Sequence, residues 1–234
     1  MREEELYRTK ELQKRLELNG VDLDTLFTAL VHSSYANEQR QAGRKDISSN
    51  ERLEFLGDAV VDLLVCDILY ETYPNASEGE MSRVKAAVAS EKILSMIARE
   101  IDLGSYLFLG KGEEMNGGRN RDSILADAFE AFLGAIFLGE GLEGVKRRFS
   151  SSFEKYIKLV MEEKLLFDYK TALQELTQRM LKKLPEYKVI SRGGEGFEVE
   201  VIVDGKTLGR GRGHSKKEAE KAAAEEAYRI LKGE

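Results

Sequence analysis

The chain has 234 residues, of which 42% are hydrophobic and 33% are charged, and its net charge is −6. These values fit a soluble globular protein with one large or two smaller domains. The single cysteine excludes an internal disulfide, and one cysteine with two histidines argues against a zinc site. No apolar stretch reaches membrane-spanning length and the charged N-terminus shows no signal peptide, so we expect a cytoplasmic protein without a membrane partner.

Charge is distributed unevenly along the chain. Acidic residues outnumber basic ones in residues 1–167, whereas basic residues slightly outnumber acidic ones in residues 168–234. This difference predicts two domains with different roles. We place the first domain at residues 1–164, a linker at 165–169 and the second domain at 170–234. Because the chain is acidic overall, a nucleic-acid partner would have to be bound by local basic patches.

The first predicted elements are helices over residues 3–18 and 23–30. His32 follows the second helix, and a lone histidine at a helix end is most often structural. The next helix is predicted to run from about residue 51 to Tyr73, where a proline stops it. The residues immediately before it, 48–51, have the composition of a capping box.

This helix combines one of the most apolar runs in the chain with a stripe of acids. Glu51, Glu54 and Asp58 fall within an arc of about 60° because a helix turns roughly 100° per residue. Asp62 lies on the same arc and either joins the group or pairs with a base elsewhere. Apolar residues cover most of the other faces, so we expect the helix to be buried. Two carboxylates about 4 Å apart repel by about 4 kcal/mol at an effective dielectric near 20, so the acids must take up protons, pair with bases or hold a cation.

A second apolar helix with acids is predicted over residues 124–137, with Ser123 as a candidate cap. Its only charged residues are Asp127 and Glu130, again three positions apart. If the two helices face each other, their oxygen ligands suit a hard cation such as Mg²⁺ or Mn²⁺. The alternative is that each acid pairs separately with its own base.

The remaining predicted elements of this domain are helices beginning at Glu78, over 93–101 and over 145–164, and a glycine break at 139–144. A Gly-rich loop is predicted at 109–119, and it lacks the spacing of a nucleotide-binding loop.

The C-terminal part has an α-β-β-β-α pattern. Its predicted elements are a helix over 171–183, strands at 187–189, 197–203 and 206–213, a hairpin turn at Asp204-Gly205, and a final helix opened by a capping box at Ser215. Lys216 and Lys217 lie in the first turn of the final helix, with Lys221 one turn later. Cations at a helix N-terminus cost stability, so these lysines are candidates for phosphate contacts. The alternative is a solvated charged face.

Several of these segments resemble the ribonuclease III family. The matching runs, in the order of that family, are NERLEFLGD at 50–58, EGEMSR at 78–83, GKGEE at 110–114 and SILADAFEA at 123–131. Residues 168–232 resemble a double-stranded-RNA-binding domain. The resemblance implies an all-α endonuclease domain followed by an α+β RNA-binding domain. It also implies a homodimer that cuts both strands of duplex RNA, with 5′-phosphate and 3′-hydroxyl ends, short 3′ overhangs and a role in rRNA and mRNA precursor processing.

The resemblance also implies roles for individual residues. Four acids resemble the metal ligands of each subunit: Glu54, Asp58, Asp127 and Glu130. The implied metal is Mg²⁺, for which Mn²⁺ substitutes, and no nucleotide cofactor is implied. Glu51 and Glu78 match positions that line the same acidic valley, and Phe55 resembles the aromatic residue that packs into the partner subunit. The residues placed on RNA are Thr171, Gln174, Glu175, Gln178, His214, Ser215, Lys216, Lys217 and Lys221.

The loop at 191–196 departs from the family because it is short and lacks a Pro-His pair, which leaves a second minor-groove contact open. Two functions remain to be compared. The first is a metal-dependent endoribonuclease on double-stranded RNA. The second is a non-catalytic duplex-binding protein that retains the helical domain for dimerisation. The second predicts losses among the six expected acids, and none of them is missing.

Overall fold

The computed structural model describes residues 1–162, 169–193 and 196–233 of the chain. The chain divides into two compact units, Met1–Lys164 and Leu165–Glu234. Most of the predicted linker at 165–169 lies outside the described residues, and Tyr169 already belongs to a helix. Within the described residues, no helix combines the length and the apolar character that a membrane crossing requires.

The described part of the first unit is helical, as the sequence predicts. Its helices are α1 (Glu3–Arg15), α2 (Leu23–Ala29), α3 (Ser33–Gln41), α4 (Glu51–Thr72), α5 (Glu78–Val88), α6 (Glu91–Glu100), α7 (Lys111–Met115) and α8 (Asp122–Met161), with 3₁₀ turns at Leu103–Tyr106 and Gly118–Asn120. The predicted Gly-rich loop therefore contains the short helix α7. The predicted glycine break is present at Gly141, whose φ of 66° and ψ of −173° are non-helical, so α8 consists of two helical segments joined by a kink at this residue.

Helices α4 and α8 cross at two glycines, and this crossing organises the core of the first unit. A Cβ atom added to Gly57 of α4 would overlap the backbone carbonyl of Glu130 on α8. A Cβ atom added to Gly134 of α8 would lie 2.5 Å from the carbonyl oxygen of Leu53. Since only glycine permits so close an approach, the two backbones touch where the acids of both helices are found.

The expected burial of α4 is correct for one side of the helix only. Val61, Leu64 and Val65 are fully buried, but Phe55 is 84% exposed and Tyr70 is 78% exposed. Exposed residues recur along the opposite side of α4, so the helix has a second apolar face that the described part of this chain does not cover.

The predicted caps of the two acid-bearing helices are wrong. Asn50 is the N-cap residue of α4, but its buried side chain caps nothing and donates a hydrogen bond to the carbonyl of Ala29 at 3.5 Å. The Asn50 backbone N–H donates to Val31, so this residue ties the start of α4 to the end of α2. Ser123 is not a cap either, because α8 begins at Asp122 and its N-cap residue is Arg121.

The second unit has the predicted α-β-β-β-α order. Its elements are α9 (Tyr169–Leu181), β1 (Glu186–Gly193), β2 (Gly196–Val203), β3 (Lys206–Gly213) and α10 (Lys216–Lys232). The strands form one antiparallel sheet in the order β1-β2-β3. Asp204 and Gly205 have φ values of 51° and 75°, as a type I′ hairpin requires, and Val203 pairs with Lys206.

The core of the second unit lies between the sheet and its two helices. Leu173 and Leu176 of α9 pack with Val199 and Val201 of β2, and the alanines of α10 fill the rest of this layer. A Cβ atom on Gly211 of β3 would clash with the backbone of α10, so that glycine lets the helix lie directly on the strand. The first strand extends to Gly193, so most of the predicted loop at 191–196 is strand, while residues 194 and 195 lie outside the described residues.

Candidate active site

The acids of α4 and α8 lie on the two sides of the glycine crossing. On α4, Glu54 precedes Gly57 by three residues and Asp58 follows it directly. Gly57 contacts the backbone of Glu130 on α8. Asp127 precedes Glu130 by almost one helical turn, so both point to the same side of α8. Glu54, Asp127 and Glu130 are half-buried, whereas Asp58 is exposed. We call Glu54, Asp58, Asp127 and Glu130 the acid cluster.

The pKa values show that the acid cluster is electrostatically coupled across the two helices. The pKa of Glu130 is raised to about 8, first by burial and then by the charge of Asp58 on α4. The pKa of Glu54 is also raised, first by burial and then by the charge of Asp127 on α8. Burial likewise raises the pKa of Asp127. The two pairs of acids therefore lie close enough for each to disfavour ionisation of the other.

The alternative in which every acid has its own base does not describe this cluster. Within residues 1–162, 169–193 and 196–233, none of its four carboxylates forms an ion pair or a hydrogen bond with a side chain. Lys85, the base beside Asp58, is paired with Asp62 at 2.7 Å, and His32 lowers the pKa of Asp127 by its charge without a hydrogen bond to it. The cluster keeps uncompensated negative charge, which a cation or bound protons would relieve.

The donor set of the cluster fits a hard divalent cation, although its side chains do not converge as closely as metal ligands do. Among the described residues, no three His, Cys, Asp or Glu side chains are arranged as metal ligands. Four carboxylates supply only oxygen ligands, which suit Mg²⁺ or Mn²⁺ better than zinc or copper.

Glu51 and Glu78 have different relations to the cluster. Glu51 is exposed, accepts a hydrogen bond from Ser49 and contributes to the raised pKa of Glu54, so it borders the cluster. Glu78 is exposed on α5, accepts a hydrogen bond from Ser82 at 3.0 Å and contributes to none of the raised pKa values of the cluster. Its sequence-predicted place in the same acidic valley therefore stays a prediction.

Three further charged residues lie near the cluster. Asp62, left open by the sequence, pairs with Lys85 and also contributes to the raised pKa of Glu130. His32 is the N-cap of α3 and accepts a hydrogen bond from the Ser34 N–H, which is a structural role. Glu91 at the start of α6 raises the pKa of Asp127 by its charge. The sequence did not identify Glu91, because nothing in the α6 pattern indicates which helix it faces.

The candidate RNA surface of the second unit lies at the starts of its two helices. Thr171, Gln174, Glu175 and Gln178 share the exposed side of α9. The Ser215 hydroxyl caps α10 by accepting the Glu218 N–H, and the Glu218 carboxylate accepts the His214 N–H, so the predicted cap is present. Lys216, Lys217 and Lys221 are exposed, and Lys216 approaches Glu220 at 3.7 Å. Lys170 of α9 binds Glu220 at 2.7 Å, which joins the two helix starts.

Comparisons with known proteins identify the family of each unit. The family described as "Ribonuclease-III-like" matches residues 22–158, and the "Double-stranded RNA binding motif" matches residues 169–231. The protein named "Ribonuclease 3" from Pseudothermotoga lettingae is 55% identical over 215 residues, which cover 90% of this chain and 90% of that protein. The chain belongs to the ribonuclease III family. A second ribonuclease III relative, from Borreliella burgdorferi, is 47% identical over 96% of this chain and 93% of its own length.

A solved structure agrees with the fold of the first unit. The nuclease domain of ribonuclease III from Campylobacter jejuni matches with a TM-score of 0.55 and 38% identity, covering 62% of this chain and 96% of that one. That domain is described as having structural flexibility in a region involved in dimer formation. The all-α class of the first unit and the RNA-binding class of the second are thus confirmed for this ribonuclease III.

Proposed function

We propose that this ribonuclease III is a Mg²⁺-dependent endoribonuclease that hydrolyses both strands of duplex RNA. The products are expected to carry 5′-phosphates, 3′-hydroxyls and short 3′ overhangs, and the substrates to be rRNA and mRNA precursors in the cytoplasm. The observation that carries the proposal is the acid cluster, in which four carboxylates without ion-pair partners come from the crossing helices α4 and α8, and in which burial and then the charges of the neighbouring acids raise the pKa of Glu130 to about 8. Half-buried carboxylates without basic partners are costly to ionise, and a bound cation offsets that cost.

The residues of the cluster would act by holding the ion and leaving part of its coordination open. Glu54 and Asp58 approach from α4, and Asp127 and Glu130 approach from α8. Bound Mg²⁺ supplies a water of lowered pKa and neutralises charge that develops on the phosphate, and Mn²⁺ can substitute. Glu130 binds a proton near neutral pH in the metal-free state, so metal binding requires that proton to leave.

The second unit would supply affinity for the duplex rather than chemistry. The exposed polar side chains of α9 can bond 2′-hydroxyls in a minor groove, which distinguishes RNA from DNA. Lys216, Lys217 and Lys221 can bind phosphates together with the free N–H groups at the start of α10. This division of roles explains why an acidic chain can bind a polyanion.

The exposed apolar face of α4 supports a homodimer. Phe55 is 84% exposed although it is a large apolar residue, and Leu63 and Tyr70 continue the same face. Leu63, Tyr70 and Met81 line a groove of about 480 Å³ beside it. Because such a face is costly to leave in water, we propose that two copies pack through it, with Phe55 near the centre.

Substitution of Glu130 by Gln tests the catalytic proposal. The change keeps the size of the side chain and removes its charge, so we expect cleavage of a duplex substrate in Mg²⁺ to fall about 100-fold or more while duplex binding persists. Gel electrophoresis measures the cleavage rate and a filter or mobility-shift assay measures binding. Glu154→Gln on the exposed side of α8 is the matched control and should cleave normally. Unchanged cleavage by Glu130→Gln would reject the proposed site, and a wild-type protein that binds but does not cleave would favour the non-catalytic alternative.

A further inference from the structure

The row of acids on one side of α4, which includes Glu54 and Asp58, continues for one turn beyond the acid cluster. Asp62 follows Asp58 by four residues, which places it about 6 Å farther along the helix axis on the same face. Unlike the acids of the cluster, Asp62 has an ion-pair partner, because its Oδ2 atom lies 2.7 Å from Nζ of Lys85 on α5. The side chains of this pair are partly exposed, at 41% for Asp62 and 32% for Lys85.

Both members of the Asp62–Lys85 pair interact electrostatically with the acid cluster. The charge of Asp62 contributes to the raised pKa of Glu130. The pKa of Lys85 is raised mainly by its hydrogen bond to Asp62, with a smaller contribution from the charge of Asp58. Lys85 also lines the groove that contains Glu78 and Ser82. Asp62 is thus a fifth carboxylate on the face of α4 that carries Glu54 and Asp58, its charge acts on Glu130, and its ion pair with Lys85 holds it away from the other four.

We propose that Lys85 is a positioning residue that keeps Asp62 out of the metal-binding set. This inference rests on the proposed nuclease function and concerns how the same site stays open. A catalytic metal needs coordination positions for water and substrate, whereas a metal surrounded by protein ligands is structural. Because the ammonium group of Lys85 compensates Asp62, a bound ion would be held by the four acids of the cluster only, and positions would remain for water and a phosphate oxygen.

The inference predicts opposite changes in metal affinity and turnover for Lys85→Ala. The variant loses one positive charge and releases Asp62, so Mg²⁺ should bind the RNA-free protein about fivefold more tightly in isothermal titration calorimetry. The additional ligand occupies a position that water or phosphate needs, so kcat should fall about tenfold or more at saturating Mg²⁺. A purely structural role for the ion pair would instead weaken metal binding and turnover together.

Three further variants make the test specific. Lys85→Arg keeps the ion pair and should retain both wild-type values within about twofold. Combining Lys85→Ala with Asp62→Asn removes the pair without changing the net charge, so affinity and kcat should both return to within about twofold of wild type. Lys146→Ala is the matched control, because it breaks a pair of similar exposure between α8 and Asp67 of α4 that contributes to none of the raised pKa values of the cluster. It should change neither quantity.

The outcomes separate this inference from the proposed function. Unchanged or weaker Mg²⁺ binding by Lys85→Ala would overturn the inference even if turnover falls. A loss of turnover that Asp62→Asn fails to restore would also overturn it, since Lys85 would then act on the RNA directly. Absence of cleavage by the wild-type protein would instead count against the nuclease function, whereas the calorimetric comparison of metal binding would still decide the role of Lys85.

Discussion

At the scale of single residues, Glu130 is the acid of the cluster whose pKa the fold raises to about 8, so its ionisation costs folding stability. It is half-buried on α8, and the charges of Asp58, Asp127 and Glu54 add to the effect of burial in raising its pKa to about 8. In an unfolded chain the same carboxyl would titrate near 4.5. The metal-free folded protein therefore holds a proton that the unfolded chain releases, and stability must depend on pH through this group.

This linkage predicts a pH-dependent stabilisation by Glu130→Gln in the presence of EDTA. Below pH 4.5 both states of the wild type are protonated and the group costs nothing. As the pH rises from 4.5 towards 8, the unfolded chain releases this proton while the folded protein keeps it, so the contribution of this group to wild-type stability falls across that range and is fully lost above the folded pKa. The variant lacks this penalty and should be more stable by about 1 kcal/mol at about pH 8.5, after allowance for partial solvent exposure, or about 3 °C in melting temperature.

Thermal melts at about pH 5 and about pH 8.5 in EDTA measure this difference. Glu154→Gln, an exposed position on the same helix, should show no such pH dependence. Saturating Mg²⁺ should reduce or reverse the advantage of the variant, because the ion stabilises only a protein that binds it. A difference in melting temperature that is the same at both pH values would show that Glu130 does not titrate as the structure indicates.

At the scale of secondary-structure elements, the spacing of the two acid pairs depends on the crossing of α4 and α8. Gly57 lies between Glu54 and Asp58 and contacts the backbone at Glu130, so the distance between the helices sets the distance between the carboxylates. Catalytic groups lose activity steeply when they are displaced by about 1 Å. A single methyl group at this crossing therefore acts on the site without changing any acid.

Substitution of Gly57 by Ala should damage stability and cleavage together. The added Cβ would overlap a backbone carbonyl that cannot rotate away, so we expect a loss of about 2 kcal/mol or more in unfolding free energy and about 100-fold in cleavage. Denaturant unfolding and duplex cleavage measure the two effects. Gly112→Ala in α7 is the control, because its Cβ would meet no atom within 4 Å, and it should leave cleavage intact. Normal cleavage by Gly57→Ala would mean that the helices can separate without disturbing the site.

The acid pattern could be predicted from sequence, whereas the crossing could not. The spacing of Glu54, Asp58, Asp127 and Glu130 depends only on helical geometry, and both helices form where their apolar runs predict them. The role of Gly57 depends on contact with a residue far along the chain, and local periodicity contains no information about that partner. The cap of α4 fails for the same reason, since Asn50 bonds the end of α2 instead of its own helix.

At the scale of the whole molecule, the predicted burial of α4 holds for one side only, because one copy of the described chain covers only that side of the helix. The apolar run of α4 is long enough to supply two faces. Val61 and Leu64 pack into the core, whereas Phe55, Leu63 and Tyr70 remain exposed. Composition alone cannot distinguish a residue that is buried within a chain from one that would be buried between two chains. An apparent core helix is thus a candidate interface.

Substitution of Phe55 by Asp should therefore convert a dimer into monomers without unfolding either of them. Because the side chain is 84% exposed in a single chain, a carboxylate there costs the isolated fold little, but in an apolar interface it would be buried without a partner. We expect the dissociation constant to rise about 100-fold or more, measured by analytical ultracentrifugation. Tyr7→Asp on α1 is the control, since Tyr7 is a comparably exposed aromatic at 70% and should leave the dimer intact. A Phe55→Asp protein that sediments as the wild type does would place the interface elsewhere, and a wild-type protein that is monomeric at micromolar concentration would remove the reason for an apolar outer face on α4.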